Sequence, residues 1–596
     1  MNKKLVCLVL AFMMIFALVL SSCSINSTGN GEVSDTSEED VDFLSRTPYT
    51  LTLWLPGEAT DEAVLEVQNA LNDILKPNYT TAIELRVISE DEYDSVLEAQ
   101  IEKLEQKRRD DEAAESVSKE LGTGAGSPST ETAADTEVET IVDENLGLSE
   151  LKYPAVGEYQ FDIFLITSYD TYLDYIDRVA IESLQENLES DSKVLNTYIY
   201  PTFLNAAYYA EEEIYAIPNN HGFGDMKFLL LNRDLVREFD YDEENLVGSI
   251  ANCEEFIRDV AELWCPDHPE TAPLLSWVDP VGMTYWSDNG EWSALASIAG
   301  IESGFDTYAP ITSIFQNAEY KANFKLMKEF QEAGMIAEDP DNVESFAVGV
   351  VSADSIESVE ALYGEDYIIS TYDVPRATQE DVFAGAFAVS MWHKENALDR
   401  AMEIITAINT KSEVRNLLQY GVEGVHYRKT DDGLVERILD ENGKSPYKMN
   451  ILATGNTYMA YPEEGMPADQ WEHDKFRNRM SIVSPYLYVP GLRNSENERN
   501  FAEIEKLSAD LYKRLMAVSL EDVDDFFAEA DQELMGNEFF AQMVNGSWEY
   551  GVSYIYNKFY DENFAPDDDG EGEGEGNEGG EDVGGGEEAG GEEAGE

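Results

Sequence analysis

Five histidines, His221, His268, His393, His426 and His473, are the residues best suited to hold a metal or move a proton. None stands in an HExxH or similar ligand spacing, so no metal centre and no cofactor are expected. No serine occupies a GxSxG turn. Gly443-Lys444-Ser445 ends like a phosphate-binding loop, but Ile438 fills the position that needs the first glycine. Residues 440–443, Asp-Glu-Asn-Gly, begin like a calcium loop without its later ligands, and a β-turn is expected there. With 121 acidic residues, some carboxylates fall close together by chance, so spacing supports no glycosidase pair. The aromatic residues are the better functional signal. A sugar ring offers an apolar C–H face that stacks on an aromatic ring, and hydroxyls that need amide, hydroxyl or carboxyl partners. Aromatic residues also fill cores, so each carries both readings.

The chain has 596 residues, more than one ordinary core holds, and 43% of them are hydrophobic, enough for two or more domains. Its formal net charge of −82 repels nucleic acid and anionic lipid alike, so a membrane attachment would need a covalent anchor. Lys3 and Lys4 precede an apolar run over residues 5–20 that is short for a span and closes in Leu20-Ser21-Ser22-Cys23. This resembles a bacterial lipoprotein cleavage box, and implies removal of residues 1–22 and lipid on Cys23. Residues 23–48 read as a tether, 112–143 as a disordered surface insertion and 566–596 as an acidic, disordered tail. Cys253 and Cys265 flank a helical pattern. As one straight helix it would part them by about 18 Å, against the roughly 7 Å a disulfide spans. Two unpaired thiols are favoured, and a bridge stays open if Cys265 folds back.

The elements that would position a binding site follow from hydrophobic period. Strands are expected at residues 49–55, 82–88 and 161–166, with helices at 61–75 and 91–107 between them. That alternation implies parallel pairing with right-handed crossovers, and ligands sit beyond the carboxyl ends of such strands. Residues 54–58, from Trp54 to Glu58, and Thr167, Ser168 and Tyr169 stand there. Further on come a strand at 227–232, helices at 253–265 and 322–333, an apolar run at 384–393 and a helix at 397–410. A loop held by Gly421 and Gly424 follows over residues 416–427, with helices at 500–518, 520–535 and 537–560.

Several blocks match one family in order. They are Leu-Thr-Leu-Trp-Leu-Pro-Gly-Glu (51–58), Phe-Asp-Ile-Phe-Leu-Ile-Thr (161–167), Ile-Tyr-Ala-Ile-Pro-Asn-Asn (214–220) and Tyr-Gly-Val-Glu-Gly-Val-His-Tyr (420–427). Together they resemble the bacterial extracellular solute-binding proteins of the sugar type, family 1. The resemblance implies an α/β, two-lobed, type II periplasmic-binding-protein-like fold with a ligand cleft and a multi-strand hinge. Lobe 1 would take residues 49–222 and 386–452, and lobe 2 residues 223–385 and 453–565. Crossings are expected near residues 220–227, 385–390 and 455–461. It further implies a monomeric, lipid-anchored, extracytoplasmic protein that does no catalysis and hands a solute to the permease subunits of an ABC importer. The candidate ligand residues are Trp54, Glu58, Thr167, Ser168, Tyr169, Asn219, Asn220, Tyr285, Trp286, Trp392 and Tyr427. Asn219 and Asn220 read equally as hinge residues. A surface glycan hydrolase or lyase, and an adhesive lipoprotein of the same fold, are the rival readings.

Overall fold

The computed structural model describes residues 46–120, 141–143, 148–209, 213–280, 293–296, 299–301, 311–393, 397–483 and 495–545. The elements named here lie in the compact unit Pro48–Glu596. In chain order they begin β1 (Tyr49–Ala59), α1 (Asp61–Tyr79), β2 (Thr81–Ile88), α2 (Glu90–Glu120), β3 (Ile163–Ile166), α3 (Tyr169–Asp177) and β4 (Ala216–Pro218). Next come β5 (Met226–Asn232), β6 (Thr271–Leu274), α4 (Ala318–Glu332), β7 (Ser345–Ala353), α5 (Ile356–Tyr363) and β8 (Tyr367–Asp373). The chain continues with β9 (Ala386–Val389), α6 (Ala397–Thr410), α7 (Ser412–Tyr420), β10 (Tyr447–Met449), α8 (Gln470–Met480), α9 (Ser495–Ala517), α10 (Val523–Met535) and α11 (Glu538–Asn545).

Two separate sheets organise these elements. The first runs β2-β1-β3-β9-β4, with β10 paired to the extension of β1. β1 is parallel to both β2 and β3, as the strand–helix alternation required. It is covered on both faces, so Leu51, Thr52, Leu53, Trp54 and Leu55 are all buried. α1 begins where the Thr60 hydroxyl accepts from the Ala63 amide, and its buried stripe is Ala63, Val67, Leu71 and Leu75. The second sheet runs β6-β7-β5-β8, with β5 antiparallel to both neighbours. It has its own core, in which Leu229, Leu231, Phe256, Met327 and Val348 meet.

Register fixes which edge of each sheet the connecting segments leave from and reach. Pro56 pairs with Ile88 and Trp54 with Phe164, so β1, β2 and β3 end on one edge. Ala386, at the start of β9, pairs with both Ile166 and Pro218, the last residues of β3 and β4. In the second sheet the start of β5 pairs with the ends of β7 and β8, Met226 with Ala353 and Lys227 with Asp373. Residues 219–225 therefore run from edge to edge, and residues 374–385 run back. The second crossing thus precedes β9 instead of occupying residues 385–390, because β9 pairs along its whole length inside the first sheet.

Three other expectations change. α2 continues through Glu120, so the first part of the 112–143 insertion is helical, and residues 141–143 pair with 148–150. Residues 416–420 close α7 instead of starting a loop; Gly421 and Gly424 then turn the chain with φ of +76° and +83°. Residues 250–264 form a 3₁₀ turn, an α-helical turn and a π-helical turn in place of one straight helix, and Cys253 and Cys265 are both free. The β-turn at residues 440–443 is present: the Gly443 amide donates to the Asp440 carbonyl at 3.0 Å, with φ of +75° at the glycine.

Candidate functional site

The facing edges collect the polar residues expected beyond the strand ends. Glu58 is exposed on the extension of β1, opposite Lys448 of β10. The Thr167 hydroxyl donates to Asp94 Oδ1 at 2.9 Å, which ties the end of β3 to the first turn of α2. Ser168 caps α3 by accepting from the Thr171 amide at 3.2 Å. Across the gap, Asp354 follows β7 and accepts from the Ser358 hydroxyl at 2.6 Å. Burial alone would raise its pKa, but the Ser358 and Ser355 hydroxyls, with Arg477, hold it below the ordinary range. Asp279 follows β6 and accepts from the Tyr512 hydroxyl of α9 at 3.2 Å. α9 also lies against α3 of the first sheet, so it bridges one side of the gap.

The two asparagines stand in the crossings, both buried. Asn219 donates its side-chain amide to the Leu452 carbonyl at 2.9 Å and its backbone amide to the Gly385 carbonyl at 2.8 Å. It thereby ties the two crossings to each other and to the segment that follows β10. Gly385 has no room for a side chain, because a Cβ there would fall 2.1 Å from the Leu452 oxygen. Asn220 accepts from the Tyr200 amide and donates to the Tyr198 carbonyl, both at 2.7 Å, and its own carbonyl takes the Thr457 amide and hydroxyl. Asn478 of α8 adds two bonds, to the His221 carbonyl and from the Phe223 amide, each 2.8 Å. Arg477 donates to the Asp354 carbonyl at 3.1 Å, so α8 ties the first crossing to the segment after β7. The hinge reading of Asn219 and Asn220 accounts for every bond they make; Asn219 Oδ1 alone is buried without a donor.

Among the described residues, the candidate aromatics are not gathered at the gap. Trp54 is 5% exposed and meets Phe161 edge-on at 5.2 Å, with the Arg86 guanidinium 4.5 Å from its ring. Tyr169 is buried against Phe383 at 5.3 Å. Trp392 follows β9, which runs away from the crossings, so the antiparallel pairing of β9 with β3 carries this residue to the opposite edge of the sheet. Tyr427 joins Tyr420, Val435 and Ala460 in a small core of its own. Tyr285, Trp286 and Cys23 lie outside the described residues.

The 416–427 block serves the crossings from behind. Asn416 accepts from the Tyr461 amide at 2.9 Å, and Gln419 donates to the Met449 carbonyl at 3.0 Å. Arg415, fully buried, donates to the carbonyls of Ile451 and Asn456 at 3.0 and 3.1 Å. The one-dimensional pattern places Arg415 between the expected helix at 397–410 and the expected loop at 416–427, with no role. Gly421 makes room for His426, whose Nδ1 accepts from the Val422 amide at 3.0 Å while Nε2 faces Glu66 at 3.3 Å. Burial pushes the His426 pKa down against the opposing pull of Glu66. The unfolded chain therefore takes up this proton first as pH falls. The stabilisation is complete above the ordinary histidine value of about 6.5 and is lost below it. Melting temperatures from pH 8 to pH 5 should fall more steeply for the native chain than for His426→Asn, whose amide oxygen can still accept from Val422. Parallel curves would show that His426 does not titrate in this range.

No protein-family model matches the chain. A protein of Streptococcus pneumoniae serotype 4, described as a carbohydrate ABC transporter substrate-binding protein, is 22% identical over 374 residues, 58% of this chain and 73% of its own length. Among solved structures, the N-glycan transport solute binding protein from Streptococcus pneumoniae superposes with a TM-score of 0.53 at 16% identity. That superposition covers 86% of this chain and 99% of the other. The chain therefore has the α/β fold of the two-domain solute-binding proteins, as the resemblance in its sequence implied.

Proposed function

We propose that the chain is the substrate-binding protein of an ABC importer, that it takes a carbohydrate between the facing edges of its two sheets, and that it delivers this to membrane permease subunits. The observation that carries the reading is the 374-residue likeness to a carbohydrate ABC transporter substrate-binding protein, together with crossings that join those edges. The first lobe would hold residues 49–222 and 386–452, and the second residues 223–385 and 453–565. Glu58, Thr167, Ser168, and Tyr285 and Trp286 of the second lobe are the residues we assign to the ligand. The protein closes on its ligand and performs no bond cleavage; a glycan incubated with it should be recovered intact. Thermal unfolding of the full chain against mono- and oligosaccharides tests this. A ligand at ~100 times its Kd should add about 2.7 kcal/mol of stability, and a panel that leaves the melting temperature unmoved would count against the reading.

We further propose that the protein works outside the cell as a monomer held to the membrane by lipid on Cys23. No helix among the described residues is long and apolar enough to cross a membrane. Two or more acyl chains, at about 0.8 kcal/mol per methylene, anchor stably where one does not. Cys23→Ala should move the protein from the membrane fraction to the medium; retention through a high-salt wash would contradict this.

A further inference from the structure

α8 is fixed to its surroundings by Asn478, Trp471 and Arg477. The Asn478 side chain donates to the His221 carbonyl and accepts from the Phe223 amide, each at 2.8 Å, so one side-chain amide holds two residues of the first crossing. The Trp471 indole donates to the Ala460 carbonyl at 2.7 Å, in the segment beyond β10. Arg477 donates through Nη2 to Asp474 Oδ1 at 2.6 Å and through Nη1 to the Asp354 carbonyl at 3.1 Å, one residue past β7. Just after the helix, residues 482–483 pair in parallel with residues 376–377 of the second crossing. α8 and the residues that follow it are therefore tied to both crossings and to the residue after β7.

The ion pair in this helix is buried, with Asp474 6% and Arg477 7% exposed. A buried pair gains little net stability, because desolvation offsets the attraction, and its best-attested use is to fix one arrangement. Here that arrangement includes Gly222 of the first crossing. A Cβ there would stand 2.6 Å from Arg477 Nη2 and 2.9 Å from Asp474 Cγ, so crossing and pair are packed without spare room. The Asp354 carboxylate takes the Ser355 and Ser358 hydroxyls, and Arg477 holds that residue by its backbone carbonyl.

We propose, resting on the importer reading, that Arg477 is a positioning residue for glycan capture. It holds α8, and with it the first crossing, to the segment after β7, and so fixes the hinge arrangement from which the protein closes. The guanidinium is buried and acts through the hinge instead of through contact with the glycan. A hinge released from this link spreads over more arrangements, and the apparent Kd rises as the binding-competent fraction falls.

The test uses the full chain and whichever manno-, chito- or malto-oligosaccharide most raises its melting temperature. Calorimetry gives the Kd of the native chain and of three variants. Arg477→Lys keeps a cation beside Asp474 but gives up one of two nitrogens that reach separate acceptors. Gly222→Ala alters no charge and drives a methyl group into the pair. Arg479→Ala removes an exposed arginine of the same helix. The expected result is a Kd about tenfold higher for Arg477→Lys and for Gly222→Ala, and within about twofold of native for Arg479→Ala. Amide exchange at Phe223 should quicken in the first two variants more than at Leu53 of β1. If one of the two fails to fold, the other decides. A Kd within about twofold of native in either folded variant, whatever its melting temperature, would overturn the positioning role and leave the importer reading intact. An equal rise in Kd for Arg479→Ala would also overturn the role, as an effect of lost positive charge alone. Binding of none of these glycans by the native chain would overturn the importer reading, and the role with it.

Discussion

Trp54→Ala should destabilise the first sheet by about 3–5 kcal/mol, the range for deleting a buried large aromatic. The side chain lies inside the core, 5% exposed, between Phe161 and the Arg86 guanidinium. Truncation opens a cavity beside β1, whose parallel neighbours β2 and β3 cannot collapse into it. The indole nitrogen has no acceptor, so Trp54→Phe loses no hydrogen bond and should cost much less. A fall in melting temperature of roughly 6 °C or more for Trp54→Ala, with a far smaller one for Trp54→Phe, is the expected pattern. A Trp54→Ala protein that melts like the native chain but loses glycan binding would return this residue to the ligand site.

Arg415→Ala should cost about 3 kcal/mol, mostly because it strands acceptors that a single guanidinium now satisfies. The side chain is fully buried and reaches the carbonyls of Ile451 and Asn456 and the side chain of Gln419. Burial pushes its pKa down to about 10, which still leaves it charged at neutral pH. Arg415→Lys should rescue little, since one ammonium cannot replace a guanidinium that reaches three acceptors through three separate nitrogens. Because Ile451 and Asn456 lie on the segment that Asn219 and Asn220 also hold, the damage should appear there. Amide exchange at Leu452 and Thr457 should quicken more than at Leu53 in β1. Uniform acceleration across the first sheet would show a general core defect instead.

Much of the architecture was legible from the pattern of apolar residues. α6 begins and ends where its helical period does, at Ala397 and Thr410, and the parallel trio β2-β1-β3 follows from strands alternating with helices. The helix at Ser412–Tyr420 leaves a weak trace in the sequence, because two glycines follow it closely and Arg415, Asn416 and Gln419 are as polar as loop residues. They are polar because they bind the backbone of another segment. The candidate site divides in a similar way. Thr167, Ser168 and Glu58 follow from strand direction alone, and stand on the facing edge. Trp392 does not, because its position depends on β9 running antiparallel, a choice no local spacing reveals. Trp54 was expected at the cleft from its place at a strand end and Tyr427 from the resemblance, and both are buried in cores. Asp354, Asp94 and Asn478 gave no signal in a chain with 121 acids.

The central claim is that a carbohydrate binds between the two facing edges and draws them together, with the crossings at residues 219–225 and 374–385 as the hinge. Small-angle scattering of the full chain, with and without the glycan that most raises its melting temperature, measures this most directly. Closure should lower the radius of gyration at saturating ligand. A ligand that stabilises the protein yet leaves the scattering profile unchanged would contradict the account.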